Sequence, residues 1–576
     1  MESYIHLYKT NSEFTEAYNS PNYKEPWLSL TEEGMKVNYN KPKLTAITFD
    51  SITWVTDVPA KGGTATKDNC EFKVYGIYED GTSVDISSDA TVTGELVVPS
   101  STEGQRHEAG TLRLTASYGK FTATGNVTVY QKAAVDFSTE PLTFNILSAG
   151  AINWAAKDKS TKKSIYYKLN DNEWIYITSN TGSSAPTITV NSGDKLQFKG
   201  NNAQYATSSS YYNSFSGSTA SFEVEGNIMS LIYGDNFKNN STISGDYVFN
   251  GLFRDCAKLV SAENLILPAT TLANYCYYSM FQGCASLTTA PELPANTLAR
   301  RCYYHMFQNC TSLTTAPALP ATTLTSECYS SMFHNCTNLT TAPELSATTL
   351  ADYCCSGMFQ YCTSLITAPA LPATTLAQSC YSGMFKGCTS LTTAPELPAT
   401  TLAEHCYVSM FYGCKSLTTA PALPATELKG SCYDSMFNGC KSLTTAPALP
   451  ATTLADYCYS NMFQDCASLT KAPELPATTL AANCYNSMFQ WCTSLTTAPA
   501  LPANTLANRC YEKMFAGCTS LNYIKCLATN ISATDCTWNW VGNVASTGTF
   551  VKAASMTSWP TGSSGIPTGW TAQDAS

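Results

Sequence analysis

The sequence is poor in charge, in histidine and in the short motifs that usually carry catalysis. Only 13% of its 576 residues are Asp, Glu, Lys or Arg, the net charge is -10, and no basic cluster occurs. A nucleic-acid partner is therefore not expected. The five histidines are scattered, and no G-x-S-x-G, HExxH, P-loop or G-x-G-x-x-G pattern is present. We expect a protein that is not an enzyme and that uses no cofactor and no metal.

Long apolar segments are missing as well. No run of 18 or more apolar residues occurs, so no membrane insertion is expected. The opening segment MESYIHLYKTNSEF has neither the basic region nor the apolar core of a secretory signal. We therefore expect a protein that does not use the standard export route.

Cysteine, in contrast, is abundant, and most of it is periodic. Twenty of the 25 cysteines stand in pairs with the spacing Cys-x7-Cys, from Cys276 and Cys284 to Cys510 and Cys518. That spacing fits no common zinc pattern. A column of small apolar residues suits a stacked core, in which free cysteine behaves as a small hydrophobe. Core packing is the favoured interpretation, and disulfides or a metal site are the alternatives.

The cysteine pairs belong to a longer repeated phrase, of which CYSGMFKGCTSLTTAPELPATTLA at 380–403 is one copy. Phe recurs every 26 residues from Phe281 to Phe515. A fixed period of 20 to 50 residues indicates a stacked array of repeats. One unit cannot bury its own apolar stripe, whereas stacked neighbours can, so each copy is expected to form the wall of the next.

Apolar residues recur at every fourth position within each unit. In one copy Leu298, Cys302, Met306 and Cys310 form this row, which predicts a helix. Gly, Asn or Asp precedes the second cysteine in eight of ten copies, and these residues tolerate the left-handed conformation that ends a helix. The segment LTTA is short, rich in threonine and followed by proline. We therefore predict one brief parallel strand and one helix per repeat.

The first 245 residues carry strand patterns instead. Alternation of period two, with Asp80-Gly81 between two runs, predicts a hairpin within a β-sandwich. The fold class expected is multidomain, with two β-sandwich-like domains followed by an α/β leucine-rich-repeat solenoid of 26-residue units. The predicted parts are an N-terminal docking arm, a β-sandwich, a second β-domain that caps the repeats, the solenoid, and a C-terminal cap and tail, at residues 1–40, 41–132, 133–245, 246–545 and 546–576.

Three stretches resemble known proteins. The phrase MFxxCtSLttA is similar to the BspA-like leucine-rich repeats of bacterial surface proteins over residues 251–545, although its strand has the pattern Leu-x-x-Ala-x-x-Leu instead of Leu-x-x-Leu-x-Leu. The phrase YEDGTSVDIS followed by GTLRLTASYGKFTATGNVTV resembles the bacterial Ig-like group 2 domain. The opening segment resembles arms at the start of proteins from gut Bacteroides and their phages.

These resemblances imply attachment to a surface. The first hypothesis is a virion surface protein, a phage tail fibre or capsid decoration, that is assembled in the reducing bacterial cytoplasm and attaches to the host surface. Its receptor would be a host glycan or an outer-membrane protein, and its arm would bind other virion proteins. The alternative is a bacterial cell-surface adhesin that binds host or microbial ligands through its repeats. A homo-oligomer is compatible with either.

The variable positions of the repeats indicate where a ligand could bind. Tyr361 and Trp491 stand where Gly or Asn is expected, and a bulky residue in the left-handed conformation costs roughly 1 kcal/mol or more. Either these two residues contact a ligand or the predicted helix is slightly longer there. The candidate ligand-binding residues, all on the predicted helices, are Tyr304, His334, Tyr361, Tyr412 and Trp491.

Overall fold

The chain forms two compact units, residues 1–136 and 137–576. The computed structural model describes residues 27–31, 34–38, 44–54, 70–78, 83–97, 107–132 and 137–575. Most of the predicted docking arm at 1–40 lies outside these described residues.

Short antiparallel sheets make up the first unit. Its strands are β1 (Trp27–Thr31), β2 (Gly34–Asn38), β3 (Leu44–Trp54), β4 (Cys70–Tyr78), β5 (Ser83–Asp85), β6 (Thr91–Val97), β7 (His107–Tyr118) and β8 (Phe121–Lys132). β1 pairs with β2, while β3-β4-β5 and β6-β7-β8 form two three-stranded sheets. The antiparallel pairing of β4 with β5 confirms the predicted hairpin, whose turn at Asp80-Gly81 lies outside the described residues. Buried Ile47 and Val74 from one sheet and Leu114 from the other share a single core.

The second unit begins with a mixed sheet. Its strands are β9 (Leu142–Ile146), β10 (Gly150–Asn153), β11 (Ala155–Ala156), β12 (Ser164–Leu169), β13 (Ile175–Thr178), β14 (Thr187–Val190), β15 (Lys195–Lys199), β16 (Asn213–Ser214), β17 (Phe222–Asn227) and β18 (Leu259–Ile266), and a one-turn helix α1 (Ser230–Tyr233) follows β17. Six of them form a sheet in the order β13-β12-β15-β9-β17-β18, and β10-β14 and β11-β16 are separate pairs. β17 and β18 run parallel, so this sheet continues directly into the first repeat.

No helix occurs between residues 246 and 545, all of which the structure describes, so the α/β class and the helix predicted in every repeat are wrong. Each repeat instead forms a ribbon of tight turns in which every fourth residue has a positive φ. In one copy these residues are Arg301 at 54°, His305 at 57° and Asn309 at 62°. This turn ribbon, and not a helix, presents the variable side chains.

Two sets of backbone hydrogen bonds stabilise the turn ribbon. Within a repeat, the N–H of Met306 donates to the carbonyl of Tyr303 at 3.1 Å, and that of Cys310 donates to Phe307 at 3.0 Å. Between repeats, the N–H of Phe307 donates to the carbonyl of Met332 at 2.9 Å. Alternate amides thus point into their own turn and toward the next repeat. The polar backbone is satisfied in this way without an α-helix.

The predicted LTTA strands are reduced to isolated contacts. Single parallel bridges join Thr341 to Thr367 and Thr367 to Thr393, with no extended ladder between the repeats. Proline follows two residues after each of these threonines and lacks the N–H that a longer ladder would need. Regular strands return only at the C-terminal end, where β19 (Tyr523–Cys526), β20 (Thr549–Lys552) and β21 (Thr571–Asp574) form a parallel sheet.

Columns of identical side chains form the core of the repeats. Phenylalanine rings from Phe281 to Phe515 stack with centroids 5.5 to 5.7 Å apart and planes within 10° of each other. All 24 cysteines from Cys256 to Cys536 are buried and free, which confirms the core-packing interpretation. The second thiol of a repeat also donates to a carbonyl, as Cys388 Sγ does to Phe359 at 3.1 Å. Because the thiolate would be desolvated, burial raises the pKa of thiols such as Cys414 to about 12.

Candidate binding surface on the turns

A line of side chains runs along equivalent turns of seven successive repeats. We call it the turn strip. It consists of the five-residue segments that surround the second cysteine of each repeat, at 334–338, 360–364, 386–390, 412–416, 438–442, 464–468 and 490–494. The cysteine in each segment is buried in the core. The other four residues of each segment form the surface of the strip.

Two bulky aromatic residues of the turn strip have left-handed backbones. Tyr361 has φ 61° and Trp491 has φ 62°, where most other repeats carry Gly, Asn or Asp. The helix extension that would have explained them is therefore wrong. Their side chains are 41% and 50% exposed, so core packing does not require them. Left-handed backbone in such residues costs roughly 1 to 2 kcal/mol each.

Each of these rings lies against the next repeat. The ring of Tyr361 covers Gly387, and that of Trp491 covers Gly517. Both glycines occupy the same position as the aromatic residue, one repeat later, and both have positive φ. Because each glycine lacks a Cβ atom, it leaves the space in which the aromatic ring of the preceding repeat lies.

Tyr412 continues this surface two repeats beyond Tyr361. It is 39% exposed, and the Lys386 ammonium lies 4.9 Å from its ring centroid. A cation–π contact of this kind is worth about 0.5 to 1 kcal/mol at an exposed site. The N–H of Tyr361 donates to the carbonyl of Lys386 at 2.7 Å. Tyr361, Lys386 and Tyr412 therefore form one continuous patch across three repeats.

His334 extends the patch by one repeat in the other direction. Its ring meets Tyr361 edge to face, with centroids 5.5 Å apart. Its Nδ1 lies 3.5 Å from Nε2 of Gln308. Burial lowers the pKa of His334, because the charged imidazolium would lose hydration. At neutral pH this residue therefore contributes a polar, uncharged ring.

Tyr304 lies elsewhere on the ribbon. It stacks on Tyr278 with a centroid separation of 5.0 Å, and the guanidinium carbon of Arg301 lies 5.4 Å from its ring centroid. Arg301 Nε also donates to Glu327 at 2.6 Å. The structure thus brings His334, Tyr361 and Tyr412 together, places Trp491 further along the same strip, and assigns Tyr304 to a separate half-buried cluster.

Some exposed aromatic side chains were missed by the sequence analysis. Tyr353 and Tyr457, 41% and 46% exposed, precede the first cysteine of their repeats with left-handed backbones. Trp538 is 49% exposed, with the Lys513 ammonium 4.7 Å from its ring. A signal existed for the two tyrosines, because the position before the first cysteine varies widely between copies, with Ser, Asn, Arg, Glu and His among the alternatives. Because a helix was predicted there, this variation was not used to identify the two tyrosines.

The turn strip has the opposite charge to the whole chain. Its charged side chains are three lysines and one aspartate, Lys386, Lys415, Lys441 and Asp465, whereas the chain carries -10. Lys441 forms an ion pair with Asp465 at 3.3 Å, and the side chains of both partners are exposed. Such a surface pair contributes little to stability, and three lysines against one aspartate give the strip a formal charge of +2. The strip can stack against rings, donate hydrogen bonds and attract anions.

Two further features are absent from the described residues. No helix there is long and apolar enough to cross a bilayer. No group of three or more metal-ligating side chains lies together in the described part of the chain.

Comparison with known proteins identifies the repeats. A family model described as BspA type leucine rich repeat region matches residues 236–366, 274–418, 355–496 and 409–539, which together span more than half of the chain. No curated protein matches the chain. This match does not extend to residues 41–132, so the Ig-like domain and the phage origin stay predictions. The chain belongs to the family of proteins with a BspA type leucine-rich repeat region.

Proposed function

We propose that this protein is a non-enzymatic, adhesin-like surface protein that attaches to glycans through its turn strip. BspA-type repeats support a surface adhesin, and the exposed rings of Tyr361, Tyr412 and Trp491 supply the planar surfaces on which sugars stack. Tyrosine and tryptophan are also enriched among residues that dominate binding energy.

One observation carries this proposal. Tyr361 and Trp491 are exposed and adopt a backbone conformation that glycine adopts at lower cost in the neighbouring repeats. The left-handed backbone belongs to the fold, but a bulky exposed side chain at this position is not required by it. Exceptions of this kind to local rules are concentrated at functional sites. A role in binding explains why these two repeats carry aromatic residues at a glycine position.

A second candidate function is that of a virion protein, so that the protein lies on phage particles instead of bacterial cells. All 24 described cysteines of residues 137–575 are free, and free thiols persist in a reducing compartment such as the bacterial cytoplasm. This favours assembly there, as for a phage tail fibre or capsid decoration that is released by lysis. The family match favours the bacterial cell surface. Immunogold labelling of the producing culture separates the two, because it places the protein on cells or on particles.

Cell binding tests the proposed function. Fluorescent full-length protein is titrated onto Bacteroides cells that carry or lack capsular polysaccharide. The double substitution Tyr412→Ala with Trp491→Ala should weaken binding at least tenfold. Tyr211→Ala is the matched control, because Tyr211 is 50% exposed but lies outside the turn strip. If the double variant binds as well as the parent, the turn strip is not the attachment surface.

A further inference from the structure

The repeats set a fixed step along the turn strip. The ring centroids of the phenylalanine column beneath it are 5.6 to 5.7 Å apart from repeat to repeat between Phe333 and Phe515. An extended polysaccharide advances by a similar length per sugar. An extended peptide rises by about 3.3 Å per residue, so its side chains recur on one face at about 6.6 Å and fall out of step with the repeats.

Tyr361 and Trp491 mark two positions in the same column, five repeats apart. The next three residues of that column after Tyr361 are Gly387, Gly413 and Gly439, which leave an open stretch. Asp465, whose carboxylate pairs with Lys441 at 3.3 Å, then stands before Trp491. Tyr412 adjoins this open stretch from the neighbouring column. A linear chain can therefore contact all three aromatic rings while it lies along the repeats.

Positive charge flanks the same stretch. Lys386 precedes the glycine column in its repeat, and Lys415 and Lys441 follow it in the next two. Lys415 and Lys441 are exposed, and Asp465 is the single acidic residue of the turn strip. Ammonium groups spaced by the repeat can pair with carboxylates that recur along a ligand.

We infer that the ligand of the turn strip is a linear, carboxylate-bearing polysaccharide that lies along the repeat direction, with one sugar facing each repeat. This inference rests on the function proposed above. The aromatic rings stack on sugar faces, and the lysines bind the carboxylates. About six sugars span the distance from Tyr361 to Trp491, since these two residues belong to the first and last of six successive repeats.

The test uses full-length protein and oligosaccharides of defined length. Isothermal titration calorimetry compares β-1,4-linked oligomannuronates and α-1,4-linked oligogalacturonates with neutral β-1,4-linked oligomannosides. For an acidic series, affinity should rise at least tenfold between two and about six sugars and then level off. The neutral series should bind at least tenfold more weakly at every length.

Variants separate this inference from the proposed function. Tyr361→Ala and Trp491→Ala should each lower the affinity for a long acidic chain about tenfold. An acidic disaccharide should bind the parent protein at two sites, one at each ring, and each variant should retain one of these sites. Lys415→Gln should weaken the binding of acidic chains. Lys429→Gln should not, because Lys429 is exposed but lies outside the turn strip. No binding of either acidic series, no dependence on length, or equal binding of neutral chains would overturn the inference. Cell binding that still depends on Tyr412 and Trp491 would leave the attachment function standing.

Discussion

The ring of Tyr361 lies over Gly387, the residue that occupies its own position one repeat later. A Cβ atom at Gly387 would overlap Cδ1 of the ring, and Trp491 has the same relationship with Gly517. The exposed aromatic side chain and the glycine one repeat later are therefore coupled, because a side chain at the glycine position would displace the ring.

Substitution of Gly387 by alanine should displace the ring of Tyr361. We expect Gly387→Ala to lower the free energy of unfolding by more than the roughly 1 to 2 kcal/mol of left-handed alanine alone. Gly413→Ala is the control for the backbone cost, because it has φ 71° and its nearest neighbour would lie 4.0 Å away. Urea unfolding of both variants measures the difference. Equal losses, or no relief when Tyr361→Asn is added to Gly387→Ala, would contradict the coupling.

Removal of one ring from the phenylalanine column should weaken the stack locally. Phe385 is fully buried between Phe359 and Phe411, so Phe385→Ala should cost about 3 to 5 kcal/mol. Since each repeat contacts only its neighbours, the repeats on the two sides should then melt separately. Hydrogen exchange followed by mass spectrometry detects this, with the exposed Thr392→Ala as control. A single, unshifted transition in Phe385→Ala would refute the stacked arrangement.

The buried cysteines should all be recovered as thiols. Denaturation without reductant, followed by titration with a thiol reagent, should detect most of the 25 cysteines, because the 24 that the structure describes in residues 137–575 are free. The native protein should react slowly, since the thiols are buried. Recovery of five thiols or fewer would contradict both the core packing and assembly in a reducing compartment.

Alkaline conditions should destabilise the repeats. Burial raises the pKa of thiols such as Cys276, Cys406 and Cys518 to about 12, whereas an unfolded thiol ionises near pH 8.5. Above that pH the unfolded state binds fewer protons than the folded state, so the free energy of unfolding falls as the pH rises toward 12. Each thiol contributes a loss of about 1.4 kcal/mol per pH unit in this window.

Urea midpoints at pH 7, 8, 9 and 10 check the alkaline prediction. The midpoint should be nearly constant between pH 7 and 8 and should fall steeply beyond pH 9. Equal midpoints at pH 7 and 10 would show that the thiols are not buried as neutral groups.

The spacing of apolar residues predicted which side chains of a repeat are buried. It did not predict the backbone conformation of the repeat. Cys302, Met306 and Cys310 are fully buried, as their spacing of four indicated. A helix and a ribbon of four-residue turns both bring every fourth side chain to one face, so spacing alone cannot separate them. The distinction lies in residues such as Arg301 and Glu327, which adopt positive φ although their type does not favour it.

Some residues of the candidate surface could be identified from the sequence, whereas one of its contacts could not. Tyr361 and Trp491 stood out because they replace Gly or Asn in otherwise regular copies. The contact of Lys386 with Tyr412 could not be foreseen, because it joins equivalent positions of different repeats and depends on how the copies stack. Comparison of the repeats in the sequence shows which positions vary. Only the stacking of the repeats shows which of the variable side chains contact each other.

The exchange of hydrogen bonds between repeats has a consequence for the gene. Each copy offers amide donors to the following copy and carbonyl acceptors to the preceding one through the same backbone atoms, whatever its side chains. Unequal recombination between near-identical stretches of DNA can therefore add or delete a whole unit without a mismatch at the new junction. The sheet that holds β17 and β18 and the sheet of β19 to β21 would still close the two ends. Selection can thus adjust the length of this protein in steps of one repeat.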